Sequence, residues 1–161
     1  MATFESRDYP GMGREQSIQT LNAFLRAELS AVETYRLALA RIASADRQAA
    51  LRACLASHER RVEALRGQIR GLGGEPVDDA GPAAALARLG AGSAALRETD
   101  VVSLLEEGED QGLELYLEDV GKLDHETRKR IERDILPEQI WTHDWLSELK
   151  LTLSAAQPAV I

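Results

Sequence analysis

The chain has 161 residues, a length typical of one domain with a single hydrophobic core. Acidic residues outnumber basic residues 27 to 19, and the resulting charge of -8 argues against a nucleic-acid binder, which needs a basic face. Hydrophobic residues make up 44% of the chain but aromatic residues only 4%, a composition that is typical of helices and excludes an all-β fold.

The cysteine content and the N-terminus indicate the compartment. Cys54 is the single cysteine, which excludes an intrachain disulfide and favours a reducing environment. The sequence has no apolar run of the roughly 18 residues that a membrane span needs. Glu5, Arg7 and Asp8 stand where a signal peptide would be apolar. We therefore expect a cytoplasmic protein that binds neither nucleic acid nor membranes.

The first helix is predicted to follow a short flexible segment. Residues 1–15 contain glycine and proline among charged residues, which predicts a flexible N-terminal arm. A helical bundle is predicted over residues 16–153, with residues 154–161 as a C-terminal tail. Ser17 is placed to cap the first helix. The inward line of this helix reads Ile18, Leu21, Leu25, Glu28, Val32, Tyr35, Leu39 and Ile42.

A second helix is predicted to begin after Ser44 or Asp46, either of which can cap it, and to end at the glycines of residues 71–74. Residues 75–82 form a loop. The alanine-rich stretch 83–96 is predicted as a short or broken helix, so the connection to the third helix is long. The inward line of the second helix contains Leu51, Leu55, His58, Val62, Leu65, Ile69 and Leu72.

A third helix is predicted over residues 100–121. A fourth helix, capped by Asp124, extends to about residue 153 and contains Pro137, whose missing N–H predicts a kink or a split into two segments. Alternating charges over residues 126–134 are typical of a solvated face. The inward lines are Val102, Leu105, Glu109, Gly112, Tyr116 and Val120 in the third helix, and Leu136, Ile140, His143, Leu146 and Leu153 in the fourth.

The two halves of the chain share a weak repeat. A glutamate precedes a tyrosine by seven residues in each half, and a histidine follows the glutamate after 30 residues in the first half and 34 in the second. The corresponding residues are Glu28 with Glu109, Tyr35 with Tyr116, and His58 with His143. The repeat predicts two helical hairpins of one design.

Each predicted helix thus places one ionisable residue on an otherwise apolar line. Buried carboxylates need partners, so such residues must satisfy one another or hold a ligand. Carboxylate and imidazole together suit iron, manganese or zinc. One hypothesis is a metal site of Glu28, His58, Glu109 and His143, with Tyr35 and Tyr116 able to hydrogen-bond a carboxylate or quench an oxidising equivalent. The alternatives are a metal-free polar network that fixes helix register, or surface positions for most of the set.

Three segments carry a resemblance to a known superfamily. LNAFLRAELSAVETYRLALARI, Leu21 to Ile42, resembles the first helix of a bacterioferritin, with Glu28 at its first metal glutamate and Tyr35 at a tyrosine near the iron. The segment SHERRVEALRGQIRGLGGEP is similar to the end of that family's second helix and puts His58 at its metal histidine. THDWLSEL resembles the final helix and puts His143 at the second metal histidine.

The chain therefore resembles the ferritin-like superfamily, and within it a small bacterial family of unassigned function. This resemblance implies an antiparallel four-helix bundle with a long crossover between helices 2 and 3. Di-iron members carry a Glu-x-x-His pair in helices 2 and 4, whereas Leu55 and Ile140 stand three residues before His58 and His143. Gln139, four residues before His143, faces the right way but is a neutral ligand.

Several further residues have two interpretations. Aligning the fourth helix on Trp145 instead puts Thr142 at the histidine position. Cys54 is either a thiolate ligand or a small buried apolar residue. His125 is expected to be exposed at the start of the fourth helix. Trp141 and Trp145 lie on one face, which forms a dimer surface if the bundle leaves it uncovered.

These observations lead to three functional hypotheses. The first is a metal-binding ferritin-like protein holding iron, manganese or zinc, for which the resemblance implies a role in stress defence. The second is a metal-free structural or interaction bundle derived from a ferritin-like ancestor, which Leu55 and Ile140 favour. The third is a di-iron oxidase or ferritin cage, against which the missing glutamates argue.

Overall fold

A computed structural model describes residues 12–80 and 96–156, and all regular secondary structure in these two ranges is helical. The helices are α1 (Met12–Leu39), α2 (Ala45–Gly71), α3 (Glu98–Asp119) with a following 3₁₀ turn (Val120–Lys122), and α4, made of His125–Arg130, a π-helical segment Ile131–Ile135, and Leu136–Ala155. The predicted all-α fold with four helices is confirmed. None of the helices in this part of the chain has an apolar stretch long enough to cross a membrane.

The helix starts agree with the sequence except in α1. Ser44 caps α2 by accepting a hydrogen bond from the Arg47 N–H. Asp124 caps α4 by accepting from the Thr127 N–H at 3.0 Å. The predicted cap Ser17 is wrong, because α1 begins at Met12 and Ser17 is buried within it. Its Oγ instead accepts from the Asp124 N–H at 2.9 Å, which ties the start of α4 to α1.

The glycines at the end of α2 stop the helix as predicted. Gly73 has φ +79°, a conformation that favours glycine. The Gly74 N–H donates to Ile69 O and the Gly73 N–H to Arg70 O, both at 2.9 Å. These two bonds form a Schellman motif, which satisfies carbonyls that the end of a helix leaves free.

Pro137 changes the hydrogen bonding of α4, as expected. The segment Ile131–Ile135 is π-helical, and the Leu136 N–H donates to Ile131 O, five residues back. Pro137 then lies in the first turn of the α-helix Leu136–Ala155, where its missing N–H costs no hydrogen bond. The charged residues of the 126–134 run are all exposed, so the predicted solvated face is confirmed.

The core consists of two apolar clusters. Along α2, α3 and α4, the buried polar residues other than Thr127 lie in sequence between these clusters. The first cluster contains Leu21, Phe24, Leu25, Val32, Val62, Leu65, Ile69, Tyr116, Val120, Leu123, Ile131 and Ile135. The second contains Tyr35, Ala38, Ile42, Leu51, Cys54, Val101, Val102, Leu105, Leu146 and Leu153.

Four predictions fall wholly or partly outside the described residues. They are the N-terminal arm up to residue 11, the last two residues of the loop over residues 75–82, the alanine-rich stretch over residues 83–95, and the C-terminal tail from residue 157. Residues 12–15, which the sequence places in the N-terminal arm, are part of α1.

Candidate functional site

Every helix contributes to a polar cluster in the middle of the bundle. Its members are all buried: Glu28 and Tyr35 from α1, His58 and Arg61 from α2, Glu109 and Tyr116 from α3, and Gln139 and Thr142 from α4. A helix places residues three, four or seven apart on one face, which explains how each helix delivers two of them. Three of the four residues predicted to hold a metal, Glu28, His58 and Glu109, lie in this cluster.

His58 lies between the two glutamates. Its Nδ1 is 2.6 Å from Glu28 Oε2, and its Nε2 is 2.7 Å from Glu109 Oε1. An ionised carboxylate only accepts hydrogen bonds, so this geometry fits a ring that carries a proton on both nitrogens. Burial alone lowers the pKa of His58, but the charge of Glu28 and the hydrogen bonds from both glutamates outweigh it and raise the pKa above 6.5.

Arg61 is the second buried cation of the cluster. Its Nη1 donates to Glu28 Oε1 at 3.1 Å and to the side-chain oxygen of Gln139. Its Nη2 donates to Thr142 Oγ1 at 2.9 Å and to Ser57 Oγ at 3.1 Å. The guanidinium is 2% exposed, so its charge must be balanced within the protein.

The two carboxylates are ionised despite their burial. Burial alone raises the pKa of Glu28. The charges of His58 and Arg61 and two hydrogen bonds outweigh this effect and lower the pKa to about 2. Burial likewise raises the pKa of Glu109, and the hydrogen bond and charge of His58 reverse this, leaving the pKa below its usual value. Two negative and two positive charges thus give the cluster a net charge of zero.

The tyrosines bond across the repeat. Tyr35 of α1 donates to Glu109 Oε1 of α3 at 2.6 Å, and Tyr116 of α3 donates to Glu28 Oε1 of α1 at 2.7 Å. Burial and the neighbouring carboxylates raise the pKa of both tyrosines well above 10. Both therefore remain neutral donors, and each half of the repeat satisfies the glutamate of the other half.

Glu109 also receives two donors from α4. Gln139 Nε2 donates to Glu109 Oε2 at 3.0 Å and to Glu109 O at 3.1 Å, and Thr142 Oγ1 donates to Oε2 at 2.9 Å. Gln139 was predicted on the inward side of α4, whereas Thr142 was predicted only by the alternative alignment on Trp145. Thr142, and not His143, is the residue of this pair that reaches Glu109.

His143 lies away from the cluster. Its Nε2 bonds Asp110 Oδ1 at 2.6 Å and its Nδ1 bonds Asp144 Oδ1 at 3.1 Å, at the bundle surface. The predicted inward positions of His143 and Ile140 are wrong, and Ile140 is 41% exposed. One residue along a helix is about 100° of rotation, so the inward line through Gln139 and Thr142 turns both residues outward.

Arg61, Ser57 and Glu138 belong to the site but were not predicted. Arg61 lies three residues after His58 and so shares its face of α2, yet arginine on a helix is usually at the surface. Ser57 donates to the carboxylate of Glu138 and accepts from Arg61 Nε at 3.3 Å. The sequence signal for Arg61 was its spacing of three residues from His58. Val62, four residues from His58, fits the apolar inward line equally well, so the line was drawn through Val62 instead.

The remaining candidates do not extend the site. Cys54 is fully buried, and burial together with the charge of Glu109 raises its pKa to about 12. It is therefore a neutral thiol and fits the interpretation as a small apolar residue. His125 is exposed, as expected. Trp145 packs against the second apolar cluster, whereas Trp141 is 45% exposed.

A cleft between α1 and α3, the α1–α3 cleft, leads to the polar cluster. Its volume is about 340 Å³. Its walls are small or apolar side chains, with the polar Gln111 as the exception: Ala27, Ser30, Ala31 and Thr34 of α1, and Leu104, Leu105, Gly108, Gln111, Gly112 and Leu115 of α3. Its floor is formed by Glu28, Tyr35, His58, Glu109, Tyr116 and Gln139.

Within residues 12–80 and 96–156, no three His, Cys, Asp or Glu side chains are arranged to hold a metal ion. His58 explains this, because its two nitrogens point in diverging directions and each is directed at a different glutamate.

Comparison of the chain with protein-family models, with curated proteins and with solved structures found no match.

Proposed function

We propose that this protein is a ferritin-like bundle that works without a metal ion in its core and binds a small molecule in the α1–α3 cleft. One observation carries the first part. Glu28, His58 and Glu109, the predicted metal ligands that lie in the core, are all hydrogen-bonded to other residues of the chain. The second part follows from the cleft, which combines apolar walls with a few converging polar groups, as ligand sites commonly do.

The donor set does not fit a metal ion. A ligand imidazole needs one nitrogen without a proton, but both nitrogens of His58 face ionised carboxylates at 2.6 and 2.7 Å. A divalent cation would have to replace one proton of His58, and beside Arg61 it would still leave an excess charge of +1 in a buried place. His143 is held at the surface by Asp110. No step of the proposed function therefore uses a metal.

The antiparallel direction of the helices within each pair, which a ferritin-like bundle requires, is supported by contacts between them. Asn22 of α1 donates to Glu75 O beyond the end of α2, whereas Arg36, late in α1, pairs with Glu59 in the middle of α2. In the other half, His143 of α4 pairs with Asp110 of α3, and Lys150 of α4 pairs with Glu106 of α3. The residue numbers rise along α4 while those of the partners fall along α3, so these two helices also run in opposite directions.

The metal-free part is tested by elemental analysis and thermal unfolding of untagged protein, alone, with a chelator, and after anaerobic reloading with iron, manganese or zinc. We expect no stoichiometric metal and one melting temperature in all samples. Near one metal per chain with a rise of several degrees, lost in His58→Gln but kept in His143→Gln, would overturn the proposal.

The cleft is tested with benzene as a neutral probe of its apolar walls. A Cβ on Gly108 meets nothing within 4 Å, so Gly108→Leu fills the cleft without a clash at the backbone. Gly67 of α2 has the same free space away from the cleft, and Gly67→Leu is the matched control. We expect benzene to shift the amide resonances of the cleft walls in wild type and Gly67→Leu only. Shifts that persist in Gly108→Leu would contradict a cleft site.

A metal site of Glu28, His58 and Glu109 is the competing proposal, favoured by the proximity of these three side chains. It requires His58 to lose a proton and Arg61 to leave Glu28. A two-metal oxidase requires more, because Leu55 and Ile140 stand three residues before His58 and His143, where bridging glutamates are needed. Rapid iron oxidation with a transient visible absorbance would support it.

The cytoplasmic location, the dimer through the Trp141 face and the absence of nucleic-acid partners stay predictions. The charge of -8 supports the last of these. The 45% exposure of Trp141 is compatible with a dimer surface.

A further inference from the structure

The hydrogen-bond donors behind the α1–α3 cleft are already used. The five N–H groups of Arg61 have acceptors: Nε and Nη2 face Ser57 Oγ, Nη2 also faces Thr142 Oγ1, and Nη1 faces Glu28 Oε1 and Gln139 Oε1. Arginine has no further donor to offer. A ligand in the cleft therefore finds no free donor on this side chain.

The other donors of the polar cluster all serve the two glutamates. Both nitrogens of His58, both tyrosine hydroxyls, the Gln139 amide and the Thr142 hydroxyl donate to Glu28 or Glu109. Among the described residues, the floor of the cleft thus offers a ligand acceptors and no unused side-chain donor. A ligand carboxylate or phosphate would find no free donor on the floor, and only neutral polar side chains, Ser30 and Gln111, in the walls.

The acceptor that remains is on Glu28. A carboxylate has about four acceptor positions. Glu109 fills all four, with Tyr35 and His58 on Oε1 and Gln139 and Thr142 on Oε2. Glu28 fills three: two on Oε1 and, from the described residues, His58 alone on Oε2. One position on Oε2 is left for a donor that enters from the cleft.

The charges nearest the cleft favour a cation as that donor. Glu28, His58 and Glu109 line the floor, whereas Arg61 does not line the cleft. A molecule in the cleft therefore lies nearest to two negative charges and one positive charge, while Arg61, which makes the whole cluster neutral, lies behind them. The whole chain carries -8, which also attracts cations and repels anions at long range.

We infer that the α1–α3 cleft takes a small molecule with an apolar body and one ammonium head, which donates to Glu28 Oε2 while the body lies between the small side chains of α1 and α3. This assignment rests on the proposed ligand-binding function. The ammonium supplies a donor for the open position on Glu28 Oε2 and a positive charge beside the two glutamates, and the apolar body matches walls such as Ala31, Gly108 and Leu115.

Three probes with the same phenyl body test this assignment: 2-phenylethylamine, 2-phenylethanol and phenylacetate. Calorimetry on the full chain at pH 7 is expected to show the amine binding at least about tenfold more tightly than the alcohol, a difference of about 1.4 kcal/mol. Phenylacetate is expected not to bind. The amine should bind Gly67→Leu as it binds the wild type, and its affinity should be lost in Gly108→Leu.

The outcomes separate the ligand class from the cleft itself. Benzene binding at the cleft together with an amine no tighter than the alcohol, or with phenylacetate as the tightest probe, would overturn the ammonium assignment and leave the proposed function standing. Failure of benzene and of all three probes would overturn both. Amine binding that survives Gly108→Leu would place the amine elsewhere and also overturn the assignment.

Discussion

The α1–α2 pair and the α3–α4 pair share a glutamate and a tyrosine at matching positions but contribute different charges to the polar cluster. The first pair supplies Glu28, His58 and Arg61, with a net charge of +1 when His58 is protonated. The second supplies Glu109 as its only charge in the cluster, beside the neutral Gln139 and Thr142. Where α2 has cations, α4 has neutral donors.

This difference shows what the cluster does in the bundle. Neither pair is neutral in the core by itself, and their charges balance only when His58 of the first pair meets Glu109 of the second; Tyr116 adds a neutral hydrogen bond to Glu28. Such a buried ion cluster gives little net stability compared with apolar packing, but the loss of one member leaves an unpaired charge. We infer that it specifies how the two helix pairs dock and keeps the ligands of a metal site occupied.

The largest expected effect comes from Arg61, the cation that makes the pairs unequal. Arg61→Met leaves Glu28 without its second cation and gives the cluster a net charge of -1. We expect the free energy of unfolding to fall by about 3 to 5 kcal/mol, measured by urea denaturation. Arg60→Met is the matched control, because Arg60 is 65% exposed and its ion pair with Glu138 is at the surface; its effect should stay below about 1 kcal/mol. Equal effects would contradict a buried charge balance.

The protonation of His58 predicts a pH dependence. Its pKa is raised in the folded state, so its stabilisation is complete below the unfolded pKa of 6.5 and is lost as the pH rises through the folded pKa. Between these values the free energy of unfolding should fall by up to about 1.4 kcal/mol per pH unit. The pKa of the partly exposed His143 is raised as well, through its two aspartates, so it adds a smaller slope of the same sign.

Denaturation of His58→Gln and His143→Gln between pH 6 and 9 separates these two contributions. The slope should nearly disappear in His58→Gln and persist in His143→Gln. The reverse result would mean that the buried ring is neutral. On the acid side, the pKa of Glu28 near 2 predicts a loss of stability as the pH falls from 4.5 through that value.

Two glycines of α3 predict the smallest effect and test the contribution of α4. A Cβ on Gly112 would lie 3.1 Å from Gln139 Nε2, whereas a Cβ on Gly108 meets nothing within 4 Å. Gly108→Ala should therefore gain about 1 kcal/mol of helix stability. Gly112→Ala should not gain this stability, because the new methyl group would press on Gln139, which Arg61 and Glu109 hold in place. If thermal unfolding showed the same gain in stability for both variants, the contacts of Gln139 would be loose and the prediction wrong.

The sequence predicted local features well, because they depend on neighbouring residues. The caps Ser44 and Asp124, the glycine stop after α2 and the altered hydrogen bonding near Pro137 all follow from local backbone chemistry. Ser17 was misjudged as a cap because its partner, the Asp124 N–H, lies 107 residues away.

The candidate site was predicted in part. Glu28, His58 and Glu109 were identified because each interrupts an apolar line. In α4 the line through Ile140 and His143 is more apolar at its start than the line through Gln139 and Thr142, so periodicity favoured the wrong face. Which polar face a helix buries depends on its partners in space, here Glu109 and Arg61.

The central claim is that His58 is an imidazolium held between two carboxylates. It is tested most directly by the ring ¹⁵N resonances of His58 at pH 7 in metal-free protein, assigned by comparison with His58→Gln. We predict that both nitrogens carry a proton and that the resonances do not change when iron, manganese or zinc is added. One nitrogen without a proton, or a ring resonance that changes on adding metal, would contradict the claim.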